Sequence, residues 1–378
     1  MQKFIIIAAI LGIKLTNAVK FVAQISDTKA VSEIFSQNFE QMNGEKGIGA
    51  INIGKSFQAI YGDFPDSILE AMYYDGRIMA MSMDRKLTAA EYVVQANAPP
   101  HLARLSQKAP LLKSDTTFIY HSNAGIGVDV YLLDTGIDAK NPGFEGRVQK
   151  VADYATGLAF EGDPHGHGTA VAGVIGSAQF GVAKKCNLFD VRIGDADGTA
   201  SLISTLRALE HATKLAAVTN RPSLVVIPYT MEKNVVLNSA LEAIVRDLSI
   251  PVIAAAGNTN QSACSISPAS AYGVLTVGSI DVTKNDQLAP FTNHGECVDV
   301  FAAGVRVPSV GLDSYSEIQR SGTSMSTGIG SGLVAYFMSL GFYGMDAVNR
   351  VKSLSVSGII PNMAQQLPST RNSIMQNM

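Results

Sequence analysis

Short apolar segments alternate with helical patterns through most of this chain, and that alternation limits its fold more than any other feature. Residues 127–134 (GVDVYLLD) form the first such segment, and helical apolar spacing marks residues 202–212 and 236–248. Because the segments are apolar on both faces, they predict an α/β fold with a mostly parallel sheet that helices cover on both faces. The other strand-like segments are 187–193, 223–227, 251–256, 274–280 and 298–302.

The stretch before this alternation predicts a separate small unit over residues 19–93. Strand and helix patterns follow one another in the order β-α-β-β-α-β, which indicates a small α+β module. No polar cluster in it suggests catalysis. The predicted elements are strands at 20–25, 47–53, 77–83 and 91–94 and helices at 30–42 and 66–72.

The first 18 residues have the pattern of a secretory signal peptide. Lys3 gives a basic start, residues 4–13 (FIIIAAILGI) are apolar throughout, and Thr16 and Ala18 suit a cleavage site. No other run approaches the about 18 apolar residues that a membrane helix needs. We therefore predict secretion and a mature protein without a membrane span; a buried N-terminal helix is the alternative.

Charge and cysteine content narrow the possible partners. The 378 residues are 47% hydrophobic and 16% charged, with a formal net charge of −3. This balance, without a long basic run, argues against nucleic acid as a partner. Cys186, Cys264 and Cys297 show no metal-site spacing, and in an oxidising compartment they allow one disulfide and one free thiol.

Four polar residues stand where an α/β sheet would place a site, at the ends of strands or the starts of helices. Asp134 ends the first predicted strand, and Asn258 follows the fourth. His167 and Ser324 each begin a helix rich in small residues. Taken alone, each has an ordinary explanation as a turn or helix-capping residue.

Taken together, these residues give the chain order Asp, His, Ser, with an amide donor between His and Ser. This is the subtilisin order, and the surrounding segments resemble the signature segments of subtilisin-like serine proteases. The resemblance covers about residues 95–365 and is closest to the proteinase K branch. The four signature segments are DTGI (134–137), HGTAVAG (167–173), AAGN (255–258) and GTSMS (322–326), and NAPPHLARLS (97–106), NPGFEGR (141–147), GVAKK (181–185) and SPAS (267–270) are similar in kind and place.

The resemblance implies a mechanism for these residues. Ser324 would be the nucleophile, His167 the general base and Asp134 the residue that orients the imidazole. Asn258 and the backbone N–H of Ser324 would form the oxyanion hole. Protein or peptide substrates and no catalytic cofactor are therefore expected.

The resemblance also implies a precursor. Residues 19–94 occupy the place of the family's inhibitory propeptide, which acts as an intramolecular inhibitor, and residues 95–378 would form the peptidase domain. The expected cleavage point lies between about Tyr92 and Ala98. A secreted, monomeric endopeptidase that processes itself is the resulting expectation.

The resemblance places the substrate between two segments near residues 198–202 and 227–231, and here the chain departs from the family. The usual SLGG reads PYTM at 228–231, so that Thr230 and Met231 replace glycines of the primary specificity pocket. We expect a narrowed pocket and small or unusual residues before the scissile bond. The expected substrate-binding residues are Gly198, Thr199, Ala200, Tyr229, Thr230 and Met231.

Two further positions differ from the family, and two other functions stay open. Gly328 stands where proline is usual, and Ala170 where a second histidine is usual. The altered strand motivates a catalytically impaired pseudoprotease or binding protein on the same fold. His165 and His167 could suggest a zinc hydrolase, but the sequence offers no third ligand at sensible spacing. We interpret His165 as a solvent-facing turn residue.

Other expectations rest on the resemblance alone. A disulfide between Cys264 and Cys297 matches some relatives, which leaves Cys186 as a free, buried thiol. Asp299, with backbone oxygens near Tyr272 and Val274, resembles a structural calcium site, although a surface aspartate at a strand end is the alternative. Residues 260–262 (NQS) form a glycosylation sequon.

Overall fold

The computed structural model describes residues 20–26, 48–84, 91–155, 162–219, 221–312 and 316–378. The chain divides into two compact units, Met1–Ala89 and Ala90–Met378. The predicted signal peptide at 1–18 and the predicted helix at 30–42 lie outside the described residues. In the described part of the chain, no helix is long and apolar enough to cross a membrane.

The first unit contains a four-stranded antiparallel sheet and a helix. The strand order is β2-β3-β1-β4, so β1 and β3 lie in the middle. Phe21, Ile60 and Met72 belong to its apolar core. The strand at 57–63 was not predicted. The elements are β1 (Lys20–Ile25), β2 (Gly49–Ile53), β3 (Phe57–Asp63), α1 (Asp66–Tyr74) and β4 (Ile78–Met83).

The second unit alternates strands and helices, as the apolar pattern predicts. Its strands are β5 (Tyr92–Gln95), β6 (Phe118–His121), β7 (Asp129–Asp134), β8 (Val148–Asp153), β9 (Asn187–Arg192), β10 (Ser223–Ile227), β11 (Met231–Glu232), β12 (Val252–Ala255), β13 (Ile266–Ser267), β14 (Leu275–Asp281), β15 (Gln287–Leu288), β16 (Val300–Ala303), β17 (Val307–Val310), β18 (Glu317–Arg320), β19 (Val356–Ser357) and β20 (Ser373–Ile374). Its helices are α2 (Pro100–Leu105), α3 (His167–Gly176), α4 (Leu202–Thr219), α5 (Val235–Leu248), α6 (Thr323–Ser339), α7 (Met345–Leu354) and α8 (Met363–Gln366).

A large sheet runs through this unit in the order β19-β20-β16-β14-β12-β10-β7-β9-β8. In this order, all neighbouring strands between β20 and β8 are parallel to one another. The strand β19 pairs antiparallel with β20, and β15 pairs antiparallel with β14. The predicted α/β fold with a mostly parallel sheet is therefore confirmed. The carboxyl ends of β7, β9, β10 and β12 consequently meet along one edge.

Alternate residues of the central strands face two separate cores. In β7, Val130 and Leu132 belong to one core, while Tyr131 and Leu133 belong to the other, and all four are fully buried. Residues of α3 and α6 complete the first core, and residues of α4 and α5 complete the second. Since burying one such side chain stabilises the fold by about 1.5–3 kcal/mol, both faces hold the sheet firmly in place.

One predicted strand has a different partner from the one expected. The strand at 91–94 was placed in the N-terminal module. It forms as Tyr92–Gln95 but pairs with Phe118–His121, inside the second unit. The sequence alone gives the extended pattern of such a strand and not the identity of its neighbour.

Candidate active site

Asp134 and His167 are in direct contact at the carboxyl edge of the sheet. Asp134 is the last residue of β7, and His167 is the first residue of α3. His167 Nδ1 lies 2.7 Å from Asp134 Oδ1. Because a carboxylate accepts hydrogen bonds, Nδ1 carries the proton and Nε2 keeps its lone pair. The pair therefore presents Nε2 as a basic atom.

A second acid, Asp163, builds the turn that leads into His167. Its Oδ1 accepts from the backbone N–H groups of His165 (3.0 Å) and Gly166 (2.8 Å) and from the Thr135 hydroxyl (2.8 Å). Its Oδ2 accepts from the backbone N–H of Thr169 at 2.8 Å. These bonds join the turn to the end of β7 and so fix His167 next to Asp134. This role was not identified from the sequence, although Asp163 stands only two residues before His165.

Gly168 allows α3 to begin this close to β7. A Cβ at this position would overlap the Gly136 carbonyl oxygen and lie 3.0 Å from Asp134 Cβ. The Gly168 N–H donates to Thr135 Oγ1 at 2.9 Å. A side chain here would push the start of the helix, and His167 with it, away from Asp134.

The surroundings of His167 tune its basicity. Burial lowers the pKa of His167, but the charge of Asp134 and its hydrogen bond outweigh burial, so the pKa lies above 6.5. The positive charge of Arg320 acts in the opposite direction and lowers this pKa. The imidazole is thus a stronger base than an isolated histidine.

Ser324 lies at the start of α6, in its first turn. Among the described residues, its hydroxyl donates to the Pro228 carbonyl oxygen (3.0 Å) and not to the imidazole of His167. The ring of the next residue, Tyr229, lies against His167, with 6.1 Å between ring centroids. Both Ser324 and His167 therefore contact the same short stretch, 228–229. Rotation of the serine side chain about its Cα–Cβ bond would redirect the hydroxyl, and such bonds commonly tighten only when substrate binds.

Asn258 is oriented by the turn before α6. Its Oδ1 accepts from the backbone N–H (2.8 Å) and hydroxyl (3.0 Å) of Thr323. The amide nitrogen is therefore the group left to donate. Gly322 brings the two segments together, with a φ of +150° that few other residues adopt. The side-chain amide of Asn258 and the N–H groups of the first turn of α6 consequently lie side by side.

The first expected substrate segment leaves β9 through a tight loop. Asp195 Oδ1 accepts from the backbone N–H groups of Asp197 (3.0 Å) and Thr199 (2.8 Å). Gly198 has a φ of +78°, and Ala200 forms an antiparallel bridge with Gly194. The loop therefore presents 198–200 in one fixed conformation.

The second expected segment carries side chains where the family has glycines. Thr230 is exposed, and Met231 begins β11, which pairs antiparallel with β13 at Ser267. Tyr229 is half-buried, and its ring points toward His167. The structure thus places Thr230 and Met231 on the accessible part of this segment and Tyr229 beneath it.

The sequence model of the subtilase family, Peptidase_S8, matches residues 125–371. The chain belongs to the subtilase family. It is 35% identical to the subtilisin-like serine protease AsES of Sarocladium strictum over 83% of this chain and 79% of that protein. It is 36% identical to Proteinase T of Parengyodontium album over 75% of this chain and 93% of that protein.

A solved structure agrees with this assignment. A cold-adapted subtilisin-like serine proteinase superposes with a TM-score of 0.67 at 28% identity, and the match covers 75% of this chain and 99% of the other. The predicted resemblance to subtilisin-like serine proteases is confirmed, and the subtilase is a serine-type peptidase.

The cysteines of the subtilase are arranged as the resemblance implies. Cys264 and Cys297 form a disulfide, with 5.3 Å between their Cα atoms. Cys186 is free and fully buried, and burial raises the pKa of its thiol to about 12. Because the reactive form is the thiolate, this thiol is inert at neutral pH.

The two departures from the family on α3 and α6 have a packing role. Gly328 faces α3, where a Cβ would lie 2.6 Å from Val174 Cγ2. Ala170 is fully buried, and its carbonyl oxygen accepts from the Ser309 hydroxyl at 2.6 Å. The two helices therefore pack closely through small residues, and neither position contributes a polar side chain to the site.

The side chain of His165 is less exposed to solvent than the sequence predicted. It is half-buried, with a buried Nδ1, and its ring packs over Gly198, where a Cβ would lie 3.0 Å from Nε2. Its ring centroid is 6.2 Å from that of His167. His165 therefore lies in the expected turn but is less exposed than expected, because the loop at 198 covers one side of its ring.

The expected calcium residues do not fit an ion in this arrangement. Asp299 is the single carboxylate of the set, and its Oδ1 accepts from the Lys352 ammonium at 2.6 Å. Its Oδ2 accepts from the Thr276 N–H at 3.1 Å. Because a cation already engages the carboxylate, the geometry does not support calcium at Asp299, Tyr272 and Val274.

Proposed function

We propose that this subtilase is a secreted endopeptidase that cleaves protein or peptide chains through Asp134, His167 and Ser324. The bond between His167 Nδ1 and Asp134 Oδ1 is the observation that carries the proposal, because it leaves Nε2 free to accept a proton. Ser324, at the start of a helix, supplies the nucleophile, and its backbone N–H together with the Asn258 amide supplies the oxyanion donors.

The reaction follows from these positions. Ser324 Oγ attacks the peptide carbonyl carbon, and its proton moves to His167 Nε2. Asp134 stabilises the resulting imidazolium. The oxyanion accepts from Asn258 Nδ2 and the Ser324 N–H. The C–N bond then breaks as the imidazolium protonates the leaving amine, which yields an acyl-enzyme that water hydrolyses by the same steps in reverse.

The precursor organisation is part of the proposal. Residues 1–18 would direct secretion, and residues 19–94 would form an inhibitory propeptide that the mature enzyme removes. The division into units at Ala89 and Ala90 supports a boundary in this region. Tyr92–Gln95 pairs with Phe118–His121, so a cut after residue 94 would remove three of its four residues, whereas a cut at the Tyr92 end of the expected range would keep the pairing.

Labelling with a fluorophosphonate tests the catalytic assignment. The processed protein should be labelled at Ser324, and Ser324→Ala should lose both labelling and peptide cleavage. Ser321→Ala is the matched control, since Ser321 lies three residues away and accepts from the Arg306 N–H at 2.9 Å. Cleavage at the wild-type rate by Ser324→Ala would contradict the proposal.

N-terminal sequencing of the secreted protein tests self-processing. Wild type should begin near residue 95, and Ser324→Ala should keep residues 19–94. The alternative, a binding protein on the same fold, is favoured only by the side chains at 230–231. Absence of labelling in a folded chain whose residues 19–94 have been removed by an added protease would support that alternative.

A further inference from the structure

The side chain of Tyr229 spans the carboxyl ends of neighbouring strands beside His167. Tyr229 follows β10, and its ring meets the His167 ring edge-on, at 71° between ring planes. Its hydroxyl reaches Gly194, which follows β9, near the Thr135 that follows β7. The ring thus fills the space above three adjacent strand ends, next to the proposed base.

Gly194 makes room for this ring. A Cβ at Gly194 would overlap the Tyr229 hydroxyl and lie 2.9 Å from Thr135 Cγ2. Any larger residue at 194 would therefore force the tyrosine side chain out of its place. Gly194 and Tyr229 are therefore sterically matched, although they lie 35 positions apart in the chain.

The ring acts by its volume rather than by its hydroxyl. The hydroxyl is buried and finds no hydrogen-bond partner among the described residues. Burial, followed by the nearby carboxylates of Asp134, Asp163 and Asp195, raises the pKa of Tyr229, so the phenol stays neutral. Removal of the hydroxyl alone would leave the ring in its place beside His167.

In an extended substrate, the alternation of side chains decides which substrate residue would face the Tyr229 ring. Successive side chains of a strand point to opposite faces. If the residue acylated on Ser324 directs its side chain to Thr230 and Met231, the residue before it points to the other face, toward His167 and Tyr229. The Tyr229 ring beside His167 would occupy space that a large side chain at that position would need.

We propose that Tyr229, accommodated by Gly194, is a specificity-determining residue that restricts the substrate position immediately before the acylated residue to small side chains. This inference rests on the proposed endopeptidase function. It concerns a different substrate position from the pocket at Thr230 and Met231.

A peptide series that varies only this position tests the inference. The variable residue is Gly, Ala, Leu or Phe, and kcat/KM is measured for each peptide. Wild type should cleave the Ala peptide at least about tenfold better than the Leu peptide, since misfits of this size typically cost 10–200-fold. Tyr229→Ala should reduce that ratio about tenfold or more, and Tyr229→Phe should keep the wild-type ratio.

A second variant keeps the test valid if Tyr229→Ala does not fold. Gly194→Ala should lower kcat/KM about tenfold in the Tyr229 background, because the added methyl displaces the ring toward the substrate. The loss should be smaller when position 229 is Leu. Equal losses in the two backgrounds would show that the two residues are not coupled and would overturn the inference.

The outcomes separate this inference from the proposed function. An enzyme labelled at Ser324 that cleaves all four peptides alike, or a Tyr229→Ala variant that loses activity equally on all of them, overturns the specificity role alone. A folded chain whose residues 19–94 have been removed by an added protease, and that is still not labelled at Ser324, overturns the proposed function and this inference together.

Discussion

Two carboxylates of this subtilase make hydrogen bonds of nearly the same length with very different consequences. Asp134 meets His167 Nδ1 at 2.7 Å, and Asp299 meets Lys352 Nζ at 2.6 Å. The imidazole has a second ring nitrogen that can accept a proton, whereas the only nitrogen of the lysine side chain is the one bound to the carboxylate. The first pair can therefore do chemistry, and the second can only hold α7 to the sheet.

The surroundings of the two pairs differ as much as their partners. Asp134 is buried at the end of a central strand, and Asp163 fixes the turn that carries its histidine. The Asp299 and Lys352 side chains are 21% and 28% exposed. Water screens the second pair more, so its contribution to stability should be small.

The largest expected effect is the difference in kcat/KM between a variant of Asp134 and a variant of Asp299. Asp134→Asn should lower kcat/KM by about 10⁴-fold, because an amide at this place favours the wrong imidazole tautomer. Asp299→Asn should leave kcat/KM within about twofold, since catalysis does not use that pair. Steady-state kinetics on folded, processed variants measure both values. Equal losses in the two variants would remove the distinction.

The pH profile tests the electrostatics of the first pair. His167 acts as a base only when neutral, so kcat/KM should fall as the pH drops through a pKa above 6.5. Arg320→Gln removes a positive charge that lowers this pKa, so the acid limb should move to higher pH. Arg246→Gln, on an exposed arginine paired with Asp247, is the control and should leave the limb in place. A limb unmoved by Arg320→Gln would contradict the assigned influence of Arg320.

The smallest expected effect concerns the stability of the second pair. Lys352→Ala should lower stability by about 1 kcal/mol, or about 2–4 °C in Tm, and chelation by EDTA should leave the wild-type Tm unchanged. Lys214→Ala, which removes an exposed pair with Glu210, should shift Tm less. A wild-type Tm that falls with EDTA and returns with calcium would restore the calcium interpretation of Asp299.

Much of the fold could be read from local patterns. The strand at 223–227 and the helix predicted at 236–248 agree with Ser223–Ile227 and Val235–Leu248 within a residue. Apolar periodicity reports such elements well, because each residue's burial follows from its own strand or helix face. The edge strand Val148–Asp153 was missed because its residues are half-buried or exposed and lack a continuous apolar run.

The site was predictable only in part, for a related reason. Asp134, His167, Ser324 and Asn258 are each marked by their own short segment, so the sequence alone indicated them. The role of Asp163 and the contact between Lys352 and Asp299 were not visible. Each depends on side chains from separate segments, in the second case 53 positions apart, meeting in space.

By itself, the sequence determined a parallel sheet buried on both faces, with polar residues at the strand ends and helix starts where a subtilase does its chemistry. Only the tertiary structure decided that Lys352 engages Asp299 and that the ring of Tyr229 fits above Gly194 beside His167. The reason is physical: apolar periodicity and turn residues act over a few neighbours along the chain. Steric fit and charge pairing act over a few ångströms, whatever the distance along the chain.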